Sequence, residues 1–315
     1  MIKAGNIRTE LNILVSGRME HATVALMRKN GECFLHGNPM TQVILHSIAK
    51  PFQLLPLMKR YGDLIYKLNS CEIAIMASSH NGEIIHRDII RDLLTRAGIH
   101  PQSLLCGYHE PYFEWQREEW DSFSLSEKTI ANNCSGKHVG MLLACKLEGW
   151  RLDDYVSMDH PLQLEILNNI KTLSPGAEYL REKDGCGVPT YRTDIVSVLK
   201  LYLSLMHNED HLSKLRNAMV YSPYILAGKC RIETLLMNML SNSIVKSGVG
   251  GILAIAMMES DECIVIYSNS GSEIVSEYVA IMILQQLRYL DEVKTGKIIE
   301  LYDYKQLQMV GKLDV

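Results

Sequence analysis

The chain has 315 residues, 47% of them hydrophobic and 22% charged, which is enough apolar material for one large core or two intermixed ones. A formal net charge of −4 gives no electrostatic case for nucleic acid or an anionic membrane surface. The longest unbroken apolar run, Ile252 to Met258, is far short of the ~20 residues a membrane helix needs, and no repeat or low-complexity tract interrupts the chain.

The N-terminal MIKAGNIRTE carries no apolar signal core, and the eight cysteines follow no disulfide-framework spacing. Reduced thiols and a cytoplasmic protein are therefore expected. ATVALM, RKNGE and CFLH then read as a hairpin turning at Asn30-Gly31. Next, HSIAKPFQ (residues 46–53) opens an apolar helical stretch, with Pro51 tolerated in the first turn and Gly62 as the stop. Further helices are predicted at Cys71–Ala77, Glu83–Ala97 and Ser135–Leu147, the last two stopped by Gly98 and Gly149. Thr193 is a candidate N-cap for the helix carrying Ile195, Val198, Leu199 and Tyr202. Helices at Leu212–Tyr221 and Cys230–Leu240 follow. Gly251–Met258 and Cys263–Ser268, joined by ESDE, read as a hairpin buried on both faces, and Ile274–Leu290 as a closing helix.

The order strands, helices, strands, helix predicts an α+β fold. One antiparallel sheet is built from the N- and C-terminal segments, with flanking helices and a helical region inserted between them. The whole chain 1–315 then forms one nested unit, with the sheet in about 1–70 and 245–315 and the helix-rich insertion in about 71–244.

Three polar stretches could carry chemistry. In HSIAKPFQ, Ser47 and Lys50 are three apart and share one helical face. Burial of Lys50 would lower its pKa and let the neutral amine take the Ser47 proton; the plainer alternative is a capping serine beside a solvated lysine. SSHNGE, residues 78–83, places Ser79 and His80 between two apolar helices, either as a capping loop or as a proton-relay serine. NNCSGKHVGM, residues 132–141, sets Cys134 three before Lys137 at a helix start, and DGCGVP supplies Cys186. Two thiolates and a nitrogen suit zinc, although no C-x-x-C pair supports this and two small buried cysteines read as well. His80, His109 and His138 read as core or loop histidines rather than ligands.

Taken together, HSIAKPFQ, ASSHNGE, LLCGYHEP, NNCSGKHVGMLLAC, HPLQ, DGCGVPTY and AMVYSPYILAGKCRIETLLM resemble, in that order, the bacterial L-asparaginase II family of the thermolabile rhizobial type. The resemblance implies a fold similar to serine β-lactamases and glutaminases, amide hydrolysis by a serine, and a homodimer. It implies Ser47 and Lys50 as the S-x-x-K pair, Ser79 as a second catalytic serine, and Cys134, Lys137 and Cys186 as a group able to bind zinc. The serine chemistry itself needs no cofactor.

The chain also departs from the family pattern. His46 stands where members carry arginine, the stretch Val15 to His21 replaces V-E-S-x-H-R-G, and Gly248-Val249-Gly250-Gly251 replaces G-A-E-G. Tyr267 aligns with the lysine of a late strand, and the expectation is that it points into the pocket. His46, His80, Gly250 and Tyr267 are therefore the candidate substrate-pocket residues. The expected substrate is a small amide, asparagine or a relative. An amide without an amino-acid head, an acyl-transfer reaction, and a catalytically silent ligand-binding homologue are the alternatives.

Overall fold

Ile252–Met257 reads ILAIAM and every one of its side chains is buried, so this strand is covered on both faces and belongs at the centre of the molecule. The computed structural model describes residues 7–28, 30–60, 67–207, 211–310 and 313. The expected stop at Gly62 lies outside the described residues.

The chain begins with β1 (Ile7–Arg8), β2 (Leu11–Val15), β3 (Arg18–Met27), β4 (Cys33–His36) and β5 (Gln42–Ile44). After a 3-10 turn at His46–Ala49 come α1 (Lys50–Gln53), α2 (Leu55–Met58), α3 (Ser70–Met76) and α4 (Ile84–Ala97). The middle holds α5 (Arg117–Asp121), α6 (Leu125–Ile130), α7 (Ser135–Glu148) and α8 (Pro161–Leu173). Next are β6 (Leu180–Lys183), β7 (Pro189–Asp194), α9 (Ile195–His207), α10 (His211–Val220), α11 (Pro223–Leu226) and α12 (Ile232–Met239). The chain closes with β8 (Ser243–Gly248), β9 (Ile252–Met257), β10 (Glu262–Ser268), α13 (Glu273–Gln286), α14 (Glu292–Leu301) and β11 (Leu307–Val310).

The large sheet runs β1-β4-β3-β10-β9-β8, with β2 also paired to β3 and β11 to β2. Its pairs are antiparallel except β1 with β4. All its strands come from the two ends of the chain, with β10 paired to β3 so that Val265 faces Ala25. The fold is therefore α+β, as the order of elements predicts. Helices α9 and α13 pack on β9 and β10. Among the described residues no helix is long and apolar enough to cross a membrane.

The Asn30-Gly31 turn sits between β3 and β4 as expected, with the Glu32 amide donating to Asn30 Oδ1 at 3.0 Å. Gly98 and Gly149 end α4 and α7 in the left-handed conformation. Two details differ from expectation. The cap of α9 is Asp194, whose carboxylate accepts from the Ser197 amide at 2.8 Å, while Thr193 is held in β7 opposite Val43. A second, three-stranded sheet, β5-β7-β6, joins the segment before Ser47 to the loop carrying Cys186. Its strands are too short and too polar to show a period-2 pattern in the sequence.

Helix α7 lies unusually close to its neighbours. A Cβ on Gly136 would meet the Ile75 carbonyl oxygen at 2.1 Å, so only glycine lets α7 dock on α3. This docking brings the Asn133–Lys137 stretch beside the segments that carry Ser47 and Ser79.

Candidate active site

Ser47 sits on the 3-10 turn that leads directly into α1, and Lys50 is the first residue of α1. The preceding residue, His46, has φ of +41°, a conformation that costs a non-glycine residue on the order of 1 kcal/mol. The turn is held from outside. Leu45 donates its amide to the Tyr191 carbonyl of β7, and His46 Nδ1 is 3.1 Å from Asp184 Oδ1. From the other side, the edge strand β8 presses on it: a Cβ on Gly248 would come within 3.3 Å of the Leu45 carbonyl oxygen.

Ser79 follows α3, which begins with a capping box between Asn69 and Glu72. Its backbone N–H donates a hydrogen bond to the Leu226 carbonyl, and its carbonyl accepts one from the Arg231 guanidinium at 3.1 Å. Ser47 and Ser79 both line one cleft of about 590 Å3, although each is nearly closed off, with 8% and 3% of its surface exposed.

The lysines define the electrostatics. Lys50 is fully buried and donates to Ser79 Oγ at 2.9 Å and to the Asn133 carbonyl at 3.1 Å. Burial lowers its pKa, and the Cys134 thiol opposes that shift. A second lysine, not singled out by the sequence reading, completes the arrangement. Lys246, buried in β8, donates to the same Ser79 Oγ at 2.7 Å and to the Ser247 carbonyl at 3.1 Å. Burial brings its pKa down to about 7, against the opposing pull of Glu233. Two ammonium groups cannot share one hydroxyl in a low-dielectric site without strong repulsion. The hydroxyl of Ser79 therefore lies between two amines that burial pushes toward the neutral form, Lys246 down to about 7. Lys246-Ser247-Gly248 is a lysine-hydroxyl-glycine triplet of the type that accompanies S-x-x-K in serine acyl enzymes. That triplet was the signal available in the sequence.

The candidate metal residues converge. The donor atoms of Cys134, Asp184 and Cys186 lie within 4.8 Å of one another, and Lys137 Nζ is 3.0 Å from Cys186 Sγ and 3.5 Å from Asp184 Oδ2. A hydrogen bond from Cys134, together with Lys137, outweighs burial and brings the Cys186 thiol down to about 5, so it is a thiolate at neutral pH. Burial pushes the Asp184 carboxyl up, but His46 and the nearby lysines more than offset this and hold it low. Burial likewise pulls Lys137 down, while the two thiols and Asp184 outweigh it and keep the amine protonated. Asp184 was not foreseen as a partner. It links the thiol cluster to His46, next to Ser47.

None of the four residues expected to shape the substrate pocket is among those lining the cleft, although His46 directly precedes Ser47. His80 is fully buried, its Nδ1 accepts from the Gly82 amide, and its Nε2 faces Ser135 Oγ at 3.1 Å. Burial holds it neutral, and it braces the loop between α3 and α4. His46 turns to Asp184. Gly250 has φ of +82° in the β8–β9 turn, where a larger residue would be strained. Tyr267 is half-buried on β10, opposite Thr23 and Ile252, and lies outside the residues lining the cleft. The reason is sheet order. β8, not β10, is the strand against the Ser47 turn, with β9 between them. The lysine of the site therefore comes from β8, where the reading that placed its counterpart at Tyr267 did not look.

Three solved structures superpose weakly on this one. A β-lactamase from Mycobacterium bovis superposes with a TM-score of 0.45 and 12% identity over 85% of this chain and 94% of its own. A probable glutaminase from Bacillus subtilis gives 0.43 and 12% over 85% and 88%. EstCE1, a hydrolase with promiscuous acyltransferase activity, gives 0.41 and 12% over 80% and 89%. No curated protein sequence matches this one significantly. Family membership rests on the sequence pattern alone: the L-asparaginase II family matches residues 14–314, almost the whole chain, and the protein belongs to that family.

Proposed function

We propose that this protein is a serine amidohydrolase that releases ammonia from asparagine or a related small amide. The observation that carries the proposal is the Ser79 hydroxyl held between two buried lysines, in the same cleft as Ser47. Ser47 Oγ attacks the amide carbonyl and gives its proton to neutral Lys50. Lys50 is one hydrogen bond from Ser79, which passes a proton to the departing nitrogen, and Lys246 replenishes Ser79. Ammonia leaves, and water then releases the acid from the Ser47 ester by the same relay run backwards.

The Ile48 amide is already committed to the Leu45 carbonyl. The oxyanion donors assigned here are therefore the Ser47 amide and the outer, strand-free edge of β8 near Gly248. Asparagine is the first substrate to test. The commitment of His46 to Asp184 favours a second reading, an amide or an acyl acceptor without an amino-acid head, because none of His46, Gly250 and Tyr267 lines the cleft.

The thiol cluster fits zinc. Two sulfurs and a carboxylate oxygen within a few ångströms match the donor types of a tetrahedral site, and the neighbouring Lys137 amine can join them only by losing its proton. Cys134, Cys186 and either Lys137 or Asp184 would hold the ion. It would supply a fixed positive charge and a rigid anchor for the loop that positions His46. Ammonia release from asparagine, glutamine and simple amides, with wild type beside Ser47→Ala, tests the proposal. Equal rates in the two proteins would reject it, and no release from any amide would favour the silent homologue.

A further inference from the structure

The cleft that holds Ser47 and Ser79 is walled on its far side by α13. Glu273 and Glu277 are four apart on that helix, so they share a face, and both line the cleft. Arg231 also lines it, but its charge is taken. One guanidinium nitrogen is 3.0 Å from Glu233, and the other donates to the Ser79 carbonyl and to Asn81 Oδ1 at 3.1 and 3.3 Å. Neither Glu273 nor Glu277 has an ion-pair partner among the described residues; Glu277 accepts a hydrogen bond from the Tyr304 hydroxyl. The cleft thus presents two carboxylates with no direct ion-pair partner among the described residues; Arg231 is near enough to act on both but is bonded to Glu233, Ser79 and Asn81. Its remaining walls include Tyr112, Phe113 and Tyr302, and aromatic walls with carboxylates are how proteins receive organic ammonium groups.

We infer that Glu273 and Glu277, with the aromatic walls beside them, receive an ammonium group on the substrate, so that the preferred substrate is a primary amide bearing an amine. The inference rests on the amidohydrolase reading for the other end of the molecule, where the amide meets Ser47. It gives a reason why the charges missing at His46, Gly250 and Tyr267 need not be replaced in place. The anchoring charge comes from α13 instead, and it suits the amine of the substrate rather than a carboxylate. Burial pushes both carboxyls up, Glu277 to about 7, and a bound cation would relieve that cost.

Two probes separate the parts of asparagine. 3-Aminopropanamide keeps its amide and amine without the carboxylate, and succinamate keeps the amide and carboxylate without the amine. Binding of each to the Ser47→Ala protein is measured by calorimetry, alongside ammonia release by wild type. Binding of 3-aminopropanamide at least about tenfold tighter than succinamate is expected, an advantage that shrinks in Glu273→Gln and disappears in the Glu273→Gln, Glu277→Gln double variant. Glu273 is exposed, so the single variant serves even where the double one folds poorly. Equal or undetectable binding of the two probes, or unchanged preference in Glu273→Gln, overturns the inference. The ammonia assay judges the reading beneath it. Selective binding with no ammonia from any amide sustains the cation site and rejects the hydrolase, whereas equal ammonia release from both probes rejects the cation site and sustains the hydrolase.

Discussion

Lys246→Met removes the amine that the relay needs and keeps a side chain of similar length in β8. In the folded protein Lys246 donates to Ser79 and the Ser247 carbonyl, and burial lowers its pKa from 10.5 to about 7. Two consequences follow with opposite signs. A general acid–base group contributes about 10²- to 10⁴-fold in rate, so kcat/KM should fall by that amount. In the relay the amine gives its proton to Ser79 and so works in its protonated form; wild-type kcat/KM should therefore fall as pH rises through about 7, and the variant should lose that limb. Stability moves the other way. A lysine whose folded pKa is depressed penalises the fold fully below about pH 7, and the penalty fades as pH rises towards 10.5. At about 1.36 kcal/mol for each tenfold, the drop from 10.5 to about 7 amounts to no more than about 5 kcal/mol. Glu233 keeps Arg231 and the Ser247 hydroxyl as partners after the substitution. The variant should therefore melt no lower than wild type at neutral pH. The assay is ammonia release across about two pH units either side of neutrality, with thermal melting on the same samples. A variant within about threefold of wild type that keeps the same pH limb would refute the role given to Lys246.

Gly136→Ala should destabilise the protein by about 2–3 kcal/mol or more, because the new Cβ meets a backbone carbonyl at 2.1 Å that has no room to retreat; chemical denaturation measures this, and an unchanged midpoint contradicts the packing described. The protein should bind one zinc ion, and Cys186→Ser should lower the affinity by at least about tenfold. That binding should weaken as pH falls towards about 5, where Cys186 becomes protonated, and a pH-independent affinity measured by competition with a chelator would place the ion elsewhere. Family membership leads us to expect a homodimer, which light scattering after size exclusion tests directly; a monomer at micromolar concentration contradicts it.

Much of the site was legible because its residues carry local signals. Ser47 and Lys50 lie in a polar-to-apolar switch closed by a first-turn proline, and Gly98 and Gly149 mark helix ends whatever the tertiary context. Lys246 was not legible by periodicity, since a lysine in a strand next to a glycine turn reads as an exposed edge charge. Only the placement of β8 at the sheet edge, against the Ser47 turn, aims that side chain inward. Tyr267 misled for the converse reason. Its strand resembles a family strand in sequence, but sheet order places β9 and β8 between it and the reacting serines. Asp184 was hidden because its partners, Lys137 and His46, are distant in sequence and meet only through the short sheet β5-β7-β6. Glu273 and Glu277 read as the polar face of a closing helix, and nothing local says that this face looks into a cleft.

The central claim is that Ser47 is the residue that becomes acylated, with Ser79 as its relay. A reactive diazoketone analogue of an amide substrate, followed by peptide mass spectrometry, reads the acceptor serine directly. The account predicts one adduct, on the peptide containing Ser47, formed by wild type, absent in Ser47→Ala and slowed in Lys50→Met. An adduct on Ser79 in wild type, or undiminished labelling in Ser47→Ala, would contradict it and make Ser79, with its two lysines, the nucleophile.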